Sequence, residues 1–304
     1  MLIQSAEELR SLTSNYYASN DFMKVVTEIE LATEELAAIV GREVIDLAEQ
    51  NLMRSYIERD ELLVRKVQRP IALLATLRLY QKNDLSHEDD GRKFKVSTDG
   101  SDRLPWEWQL DRDDAIHMEE YYKSVDELIR YLNERKPREW TESTTYRLMQ
   151  TLLIRSGAQM DLYFPIGRSE RLYLLLMPFI REAQAGTVAP AYGPGWAELL
   201  AEDTLPESDA RYAACMAVAL LAMGTAIHRL PLQLIPQGVV RGYMNQNGMK
   251  SSQPATVEEV RRVADWMAGD AAHWIDRMKQ SRDGQLHESP LLPDNDSKNK
   301  YCIL

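Results

Sequence analysis

The chain has 304 residues, of which 44% are hydrophobic, so it is long enough to bury one large core or two medium ones. Its 36 basic and 47 acidic residues leave a formal net charge of −11. This charge disfavours non-specific binding to nucleic acid, because such binding requires cations that neutralise phosphates. The two cysteines, Cys215 and Cys302, indicate no disulfide framework and favour a reducing compartment. The N-terminal residues lack the features of a signal peptide.

The first part of the chain predicts four helices. Ser5 caps a short helix that runs to about Leu12, and Asp21 caps a second helix that Gly41 ends. A third helix follows Gly41. The fourth covers Asp60 to Lys82, and Pro70 within it predicts a kink or a break.

A hairpin is predicted next, at about residues 93–110. Phe94-Lys95-Val96 and Trp106-Glu107-Trp108-Gln109-Leu110 alternate as strands do, and Asp99-Gly100 is a turn signal between them. Trp106 and Trp108 are two residues apart, so on a strand both side chains point to the same face. A helix capped by Asp111 follows and ends at Pro137, and another begins near Thr141.

The second part of the chain repeats this order. Helices are predicted from Ser169 to about Ala185, from Trp196 to Ala201, and from Ala210 to His228 with Ser208 as the cap; a hairpin follows at about 232–243, and Thr256 then opens a long helix to about Lys279. The apolar stretch from Tyr212 to Ile227 is short and rich in alanine for a membrane span, so a buried helix is favoured.

The two parts share sequence anchors. Ile71-Ala72-Leu73-Leu74-Ala75 recurs 147 residues later as Val218-Ala219-Leu220-Leu221-Ala222. Three further anchors keep the same order: Ile29 and Ala32 with Ile180 and Ala183, the segment 41–47 with 193–199, and Leu128-Ile129 with Trp274-Ile275. The prediction is a mainly α fold of two tandem, similar helical-bundle halves, each with a short β-hairpin insertion. The halves cover residues 1–156 and 157–283, and residues 284–304 are predicted to be a disordered tail.

Two pairs of potential metal ligands stand out. Asp114 and His117, and Asp270 and His273, each place a carboxylate and an imidazole on one helical face. The pairs do not occupy equivalent positions in the repeat, so surface and capping roles are favoured and no metal site is predicted. His228 stands at a helix C-terminus, where a cation offsets the helix dipole. Arg168, Arg171 and Arg181 together form either an anion site or, as we favour, a solvated helix face.

Motifs of known chemistry are missing from the sequence. It contains no glycine-rich phosphate loop, no Gly-x-Ser-x-Gly, no Cys-x-x-Cys and no His-Glu-x-x-His. The sequence therefore predicts no catalytic residues and no cofactor.

The hairpins have two interpretations, which the sequence leaves open. Either they fold onto their own helices, or they add to a neighbouring subunit, because an isolated hairpin is marginal by itself. The candidate residues for subunit contacts are Phe94, Val96, Trp106, Trp108, Val239, Val240 and Tyr243.

Part of the sequence resembles known phage proteins. Ile3-x-Ser5-Ala6-Glu7-Glu8-Leu9, a polar turn with Asp21, Ile29-x-x-Ala32 and Ile39-Val40-Gly41 resemble the start of the head–tail connector (adaptor) proteins of tailed phages. The fuller pattern, to about Gln280, includes Tyr163-Phe164-Pro165-Ile166-Gly167-x-Ser169-x-Arg171-Leu172 and Pro178-Phe179-Ile180-Arg181-Glu182-Ala183. It is similar to an uncharacterised family encoded in phages and prophages of gut bacteria.

The resemblance implies a helical virion protein that assembles into a ring in the neck, between portal and tail, and has no active site. Portal and tail proteins and further copies of the chain are the implied partners, without a membrane. DNA would pass through the acidic channel without specific binding. The chain is longer than a simple connector. Two alternatives stay open at this point: a metal-dependent enzyme on a helical scaffold, and a monomeric protein that binds a partner in tail assembly.

Overall fold

The computed structural model describes residues 1–13, 21–55, 59–88, 91–94, 106–202, 207–230, 232–235, 238–241 and 256–284. Most of these residues are helical, which confirms the mainly α prediction. The helices are α1 (Ala6–Leu12), α2 (Phe22–Val40), α3 (Arg42–Met53), α4 (Glu61–Asn83), α5 (Glu107–Arg135), α6 (Arg138–Thr141), α7 (Thr144–Gln150), α8 (Gly157–Met160), α9 (Glu170–Ala183), α10 (Ala189–Tyr192), α11 (Trp196–Ala201), α12 (Asp209–Arg229) and α13 (Val257–Arg282). A π-helical turn, Gln184–Val188, joins α9 to α10.

Local capping signals place most helix ends where the sequence predicts them. Ser5, Asp21, Ser208 and Thr256 each accept a hydrogen bond from a backbone N–H in the first turn of α1, α2, α12 and α13, respectively. Gly41 ends α2 with a φ of 95°, a conformation that favours glycine. These predicted helix ends are confirmed.

Two long helices lie at the centre of the packing. Helix α4 packs between α2 and α5, and α12 packs between α9 and α13. The repeated apolar stretches lie on them, and Ile71, Ala72 and Ala75 on α4 are fully buried. Most of the buried apolar side chains of the described residues form one continuous cluster, which extends from Leu2 to Met278. The fold therefore has a connected core.

Helix α4 continues through Pro70, so of the two predicted alternatives the break is wrong, and the kink stays a prediction. Proline removes the N–H that would bind the carbonyl of Lys66, one turn earlier. Pro70 is itself buried among the flanking helices. Burial of the surrounding apolar residues therefore outweighs the lost hydrogen bond. Helix α9 contains Pro178 in the same way.

Helix α12 is long and apolar enough to cross a membrane, by length and composition. A core helix meets the same criterion. Here 61% of the apolar window is buried against other parts of the chain. In this structure α12 is a core helix of the fold.

The first predicted hairpin differs from the structure. Strands β1 (Leu85–Glu88) and β2 (Gly91–Phe94) pair antiparallel, with Leu85 opposite Phe94. The predicted second strand is helical instead: α5 begins at Glu107, with Trp106 as its N-cap residue. The Trp106 backbone N–H donates to the Gln109 side chain at 2.9 Å. This local hydrogen bond stabilises the start of the helix. A prediction from alternating polar and apolar residues does not take it into account.

A second strand pair follows α12. Strands β3 (Leu232–Ile235) and β4 (Gly238–Arg241) pair antiparallel, with Leu232 opposite Arg241. Both strands fall within the range predicted for the second hairpin. The predicted tail lies outside the described residues, apart from Gly284.

A buried hydroxyl on α4 generates a first prediction. Thr76 is 1% exposed, and its Oγ1 has no hydrogen-bond partner in the described part of the chain. We expect Thr76→Val to raise the free energy of unfolding by about 1 kcal/mol, because the valine removes an unsatisfied polar atom. Urea denaturation followed by circular dichroism measures this change.

Thr13 provides the matched control. It is also buried, but its Oγ1 donates to the Leu9 carbonyl at 3.0 Å. Thr13→Val is expected to lower the free energy of unfolding by about 1 kcal/mol. Equal destabilisation by both substitutions would contradict the difference in hydrogen bonding.

A close backbone contact generates a second prediction. A Cβ at Gly157, at the start of α8, would lie 2.6 Å from the Ser169 carbonyl carbon and 2.9 Å from the Glu170 nitrogen. We expect Gly157→Ala to lower the free energy of unfolding by about 2 kcal/mol or more, because two backbone segments must separate.

Gly269 in α13 is the control, because no heavy atom lies within 4 Å of a Cβ added there. Gly269→Ala is expected to stabilise the protein by about 0.5 kcal/mol through its higher helix propensity. Thermal melts of the two variants should therefore move in opposite directions. An unchanged stability of Gly157→Ala would mean that the backbones of α8 and α9 lie farther apart than these distances.

Candidate functional site

A polar cavity of about 410 Å³ lies between the C-terminal end of α5, helices α7 and α8, and the N-terminal end of α12. It is lined by Asn133, Lys136, Tyr146, Met149, Gln150, Arg155, Ser156, Gln159, Leu162, Tyr163, Glu202, Glu207 and Arg211. Cavities with convergent polar groups are the usual starting point for a ligand site. Whether the polar side chains are free to bind a ligand depends on the hydrogen bonds that the charged residues of the cavity already form.

The two arginines in the cavity bind backbone carbonyls. Arg211 is 4% exposed and donates to the carbonyls of Leu199, at 2.6 Å, and Leu153, at 3.2 Å. Arg155 donates to the Leu200 carbonyl at 2.7 Å. Two of these carbonyls belong to the last turn of α11, where unpaired carbonyls and the helix dipole favour cations. The arginines therefore join α11 to the turn after α7.

A tyrosine hydroxyl and a thiol near the cavity have raised pKa values. The Tyr163 hydroxyl donates to the Glu207 carboxylate at 2.9 Å, and burial is the main cause that raises the pKa of Tyr163. Burial also raises the pKa of Cys215 to about 12. A thiol needs its thiolate to act as a nucleophile. The cavity therefore presents a structural polar network rather than an activated nucleophile.

Contacts between α5 and α9 connect the two parts of the chain. The Asp126 carboxylate on α5 accepts hydrogen bonds from the Ser169 hydroxyl, at 3.1 Å, and from the Arg171 backbone N–H, at 2.6 Å. The Arg171 guanidinium carbon lies 3.6 Å from the centroid of the Tyr122 ring. An acid at a helix N-terminus and a cation over an aromatic ring are both stabilising.

Two further buried polar side chains bind backbone groups near the start and after the end of α9. Gln184, in the π-helical turn, accepts from the Leu153 N–H at 2.7 Å and donates to the Thr151 carbonyl at 3.0 Å. Glu170 accepts from the backbone N–H groups of Gly157, at 2.9 Å, and Ala158, at 3.3 Å. Burial raises the pKa of Glu170, and these two hydrogen bonds oppose the rise.

The three candidate anion-binding arginines have separate surroundings. Arg171 lies against Tyr122, and the backbone N–H of Arg168 donates to Asp161 at 3.1 Å. The pKa of Asp161 is lowered by this bond and by a second one from Ile166. Arg181 is exposed near the end of α9. Arg171 thus has a structural role that the sequence alone does not reveal.

The candidate metal ligands do not assemble into a cluster. No group of three or more His, Cys, Asp or Glu side chains able to hold a metal ion occurs among the described residues. The buried His117 has its Nδ1 2.9 Å from the Asp113 carbonyl, and Asp114 accepts from Gln81 at 2.9 Å. The His273 ring lies edge-on to Trp274, with 6.4 Å between centroids. His228 lies in the last turn of α12, where it was predicted.

The predicted contact residues occupy both helix and strand. Trp106 and Trp108 are 72% and 56% exposed at the start of α5. The strand on which the two side chains would share a face does not form, because α5 begins at Glu107. Phe94 ends β2, and Val239 and Val240 belong to β4, whereas Val96 and Tyr243 lie outside the described residues.

Several residues that stand out in the structure are not identified by the sequence analysis. Trp266 on α13 is 71% exposed, and no periodicity argument singled it out. Arg211 was missed as a buried cation, although its place in an alanine-rich run was a usable signal. Asp126 and Gln184 act through partners at least 31 residues away, so no local pattern identifies them.

The chain has been compared with protein-family models, curated proteins and solved structures, and none of the three comparisons finds a match. The fold and site define a mainly α-helical protein with a structural polar junction and exposed aromatic side chains.

The buried thiol generates a prediction about accessibility. In a Cys302→Ser variant, which retains Cys215 alone, we expect labelling by a thiol reagent at pH 8 to be about a thousandfold slower than in denaturant. The reason is that a pKa of about 12 leaves almost no thiolate and the side chain is buried. The labelling rate is measured from the absorbance of the coloured group that the reagent releases when it reacts with the thiol. Rapid labelling of the native protein would contradict both the burial and the raised pKa.

Proposed function

We propose that the protein is a non-catalytic structural component of a phage virion, a subunit of the head–tail connector or neck ring. Its partners would be further copies of itself and the portal and tail proteins, and DNA would pass through the ring without specific binding. The observation that carries the proposal is the exposure of three of the six tryptophans, Trp106, Trp108 and Trp266. Tryptophan is enriched at protein–protein interfaces, and water-exposed indole rings gain from association.

The order of secondary-structure elements supports the proposed duplication. A central helix, a strand pair and a long helix follow one another twice, as α4, β1–β2, α5 and as α12, β3–β4, α13. The central helices begin 148 residues apart, at Glu61 and Asp209, and the strand pairs begin 147 residues apart, at Leu85 and Leu232. Two similar halves, each with a strand pair after its central helix, fit a subunit that makes similar contacts at two places.

The positions of the exposed tryptophans agree with such contacts. Trp106 and Trp108 lie at the start of α5, and Trp266 lies on α13, the corresponding long helix of the second half. Both helices follow a strand pair directly in the element order. We therefore propose that the subunit contacts involve the exposed faces of α5 and α13 as well as the two strand pairs.

The assignment to the neck of a phage particle depends on the resemblance of the sequence to connector proteins. The net charge of −11 is compatible with a channel that repels DNA rather than holding it. The polar cavity supports a role without catalysis, because its arginines are engaged by backbone carbonyls.

Association of the purified protein tests the proposal. Light scattering coupled to size-exclusion chromatography should report an oligomer, and negative-stain microscopy should image rings. Trp106→Ala combined with Trp108→Ala should weaken association by about thirtyfold, because buried interface tryptophans commonly contribute about 2 kcal/mol or more.

Met53→Ala combined with Leu162→Ala is the matched control, because these apolar side chains are 74% and 69% exposed and lie outside α5 and α13. This variant should associate as the unchanged protein does. Antibody labelling of purified particles should locate the protein at the neck. A protein that remains monomeric at the highest attainable concentration and is missing from particles would refute the proposal.

A further inference from the structure

A basic cleft lies on α4, in a chain with a large excess of acidic residues. Two adjoining concavities of about 180 and 360 Å³ share Arg65 and Arg69, which are exposed and one helical turn apart. The cations that line the two are Arg10, Arg65, Lys66 and Arg69, and the acids are Glu120 and Glu127. The cleft thus carries a net positive charge, opposite in sign to the chain as a whole.

The charges in the cleft are only partly neutralised. Lys66 forms an ion pair with Glu127 at 2.7 Å. In the part of the chain that the structure describes, neither Arg65 nor Arg69 forms an ion pair, although Lys66 and, to a smaller extent, Arg69 lower the pKa of Glu127. Leu62, which is 49% exposed, adds an apolar side chain to the rim. The cleft therefore offers two guanidinium groups and an apolar contact to an acidic, partly apolar surface.

A surface of matching chemistry occurs at the start of α5. The segment Trp106–Glu119 contains five acidic residues and one arginine. Asp111, Asp113 and Glu119 are exposed, and the same segment carries the exposed Trp106 and Trp108. We call this segment the acidic–aromatic surface.

The two surfaces lie one after the other along the antiparallel pair of α4 and α5. Lys66 on α4 meets Glu127 on α5, and Gln81 on α4 meets Asp114 on α5. The rise of 1.5 Å per residue separates these two contacts by about 22 Å along α4. Trp106 and Asp111 lie beyond the Gln81–Asp114 contact, whereas Glu119 is next to Glu120, which lines the cleft. The N-terminal part of the acidic–aromatic surface is therefore displaced from the cleft, so one copy can present it to the cleft of the next.

We infer that the basic cleft around Arg65 and Arg69 binds the acidic–aromatic surface of a second copy of the chain. This inference rests on the proposed self-assembly and identifies the surfaces that make the contact. Such a contact is heterologous, because different patches meet, and it closes into a ring when the rotation between neighbouring copies permits. Complementary charge at the contact selects the pairing and orients it.

Charge reversal tests the pairing by light scattering and sedimentation velocity on the full chain. Arg65→Glu combined with Arg69→Glu should weaken self-association at least about tenfold, because the cleft then repels its acidic partner. Asp111→Lys combined with Asp113→Lys should weaken it similarly. Mixing the two variants should restore association, because each then presents a surface complementary to one on the other.

Lys24→Glu combined with Arg181→Glu is the matched control, because it makes the same charge change on exposed helical residues outside the cleft. This variant should associate normally, and circular dichroism should show all variants folded. Normal association of the cleft variant, or no restoration in the mixture, overturns the pairing and leaves self-assembly standing. A monomeric unchanged protein overturns both proposals.

Discussion

The close packing of α12 between α9 and α13 is the constraint on which the second half of the structure depends. Most buried positions of α12 are small, and Ala213, Ala217 and Ala222 are fully buried. A Cβ added at Gly224 would lie 3.7 Å from the Ala264 carbonyl oxygen, so the backbones of α12 and α13 approach closely there. Small side chains allow the helix axes to approach closely, so that many short van der Waals contacts form between the helices. Helix α4 solves the same problem with larger residues and fits between α2 and α5.

Polar groups near both ends of α9 complement this packing. Asp126, Gln184 and Glu170 each bind groups that would otherwise be left without hydrogen bonds at helix ends and turns. A buried backbone group without a partner costs about as much as a lost hydrogen bond. The polar cavity belongs to this arrangement, since Arg155 and Arg211 bind carbonyls at its wall. Its charged side chains thus serve the fold, which weakens the argument for chemistry there.

The sequence predicts the helices well because their signals are local. N-caps such as Ser208 and Thr256 act within one turn, and Gly41 ends α2 through its own backbone conformation. Alternation over five residues is a weaker signal, because the segment 106–110 satisfies both a strand pattern and the start of a helix. The site was largely beyond prediction. Asp126 and its partners Ser169 and Arg171 lie 43 and 45 residues apart in the chain, and only the packed structure brings them together.

The helical start of α5 changes the physical nature of the exposed aromatic surface. On a strand, Trp106 and Trp108 would form one flat aromatic face that extends a neighbour's sheet. At the start of a helix they form no strand edge, and exposed acidic residues such as Asp111 and Asp113 follow them on the same helix. Indole rings surrounded by carboxylates match a cationic surface with apolar side chains rather than an open sheet edge. The helical start of α5 therefore adds side-chain complementarity, in which charge selects the partner, to the backbone pairing expected of the strand pairs.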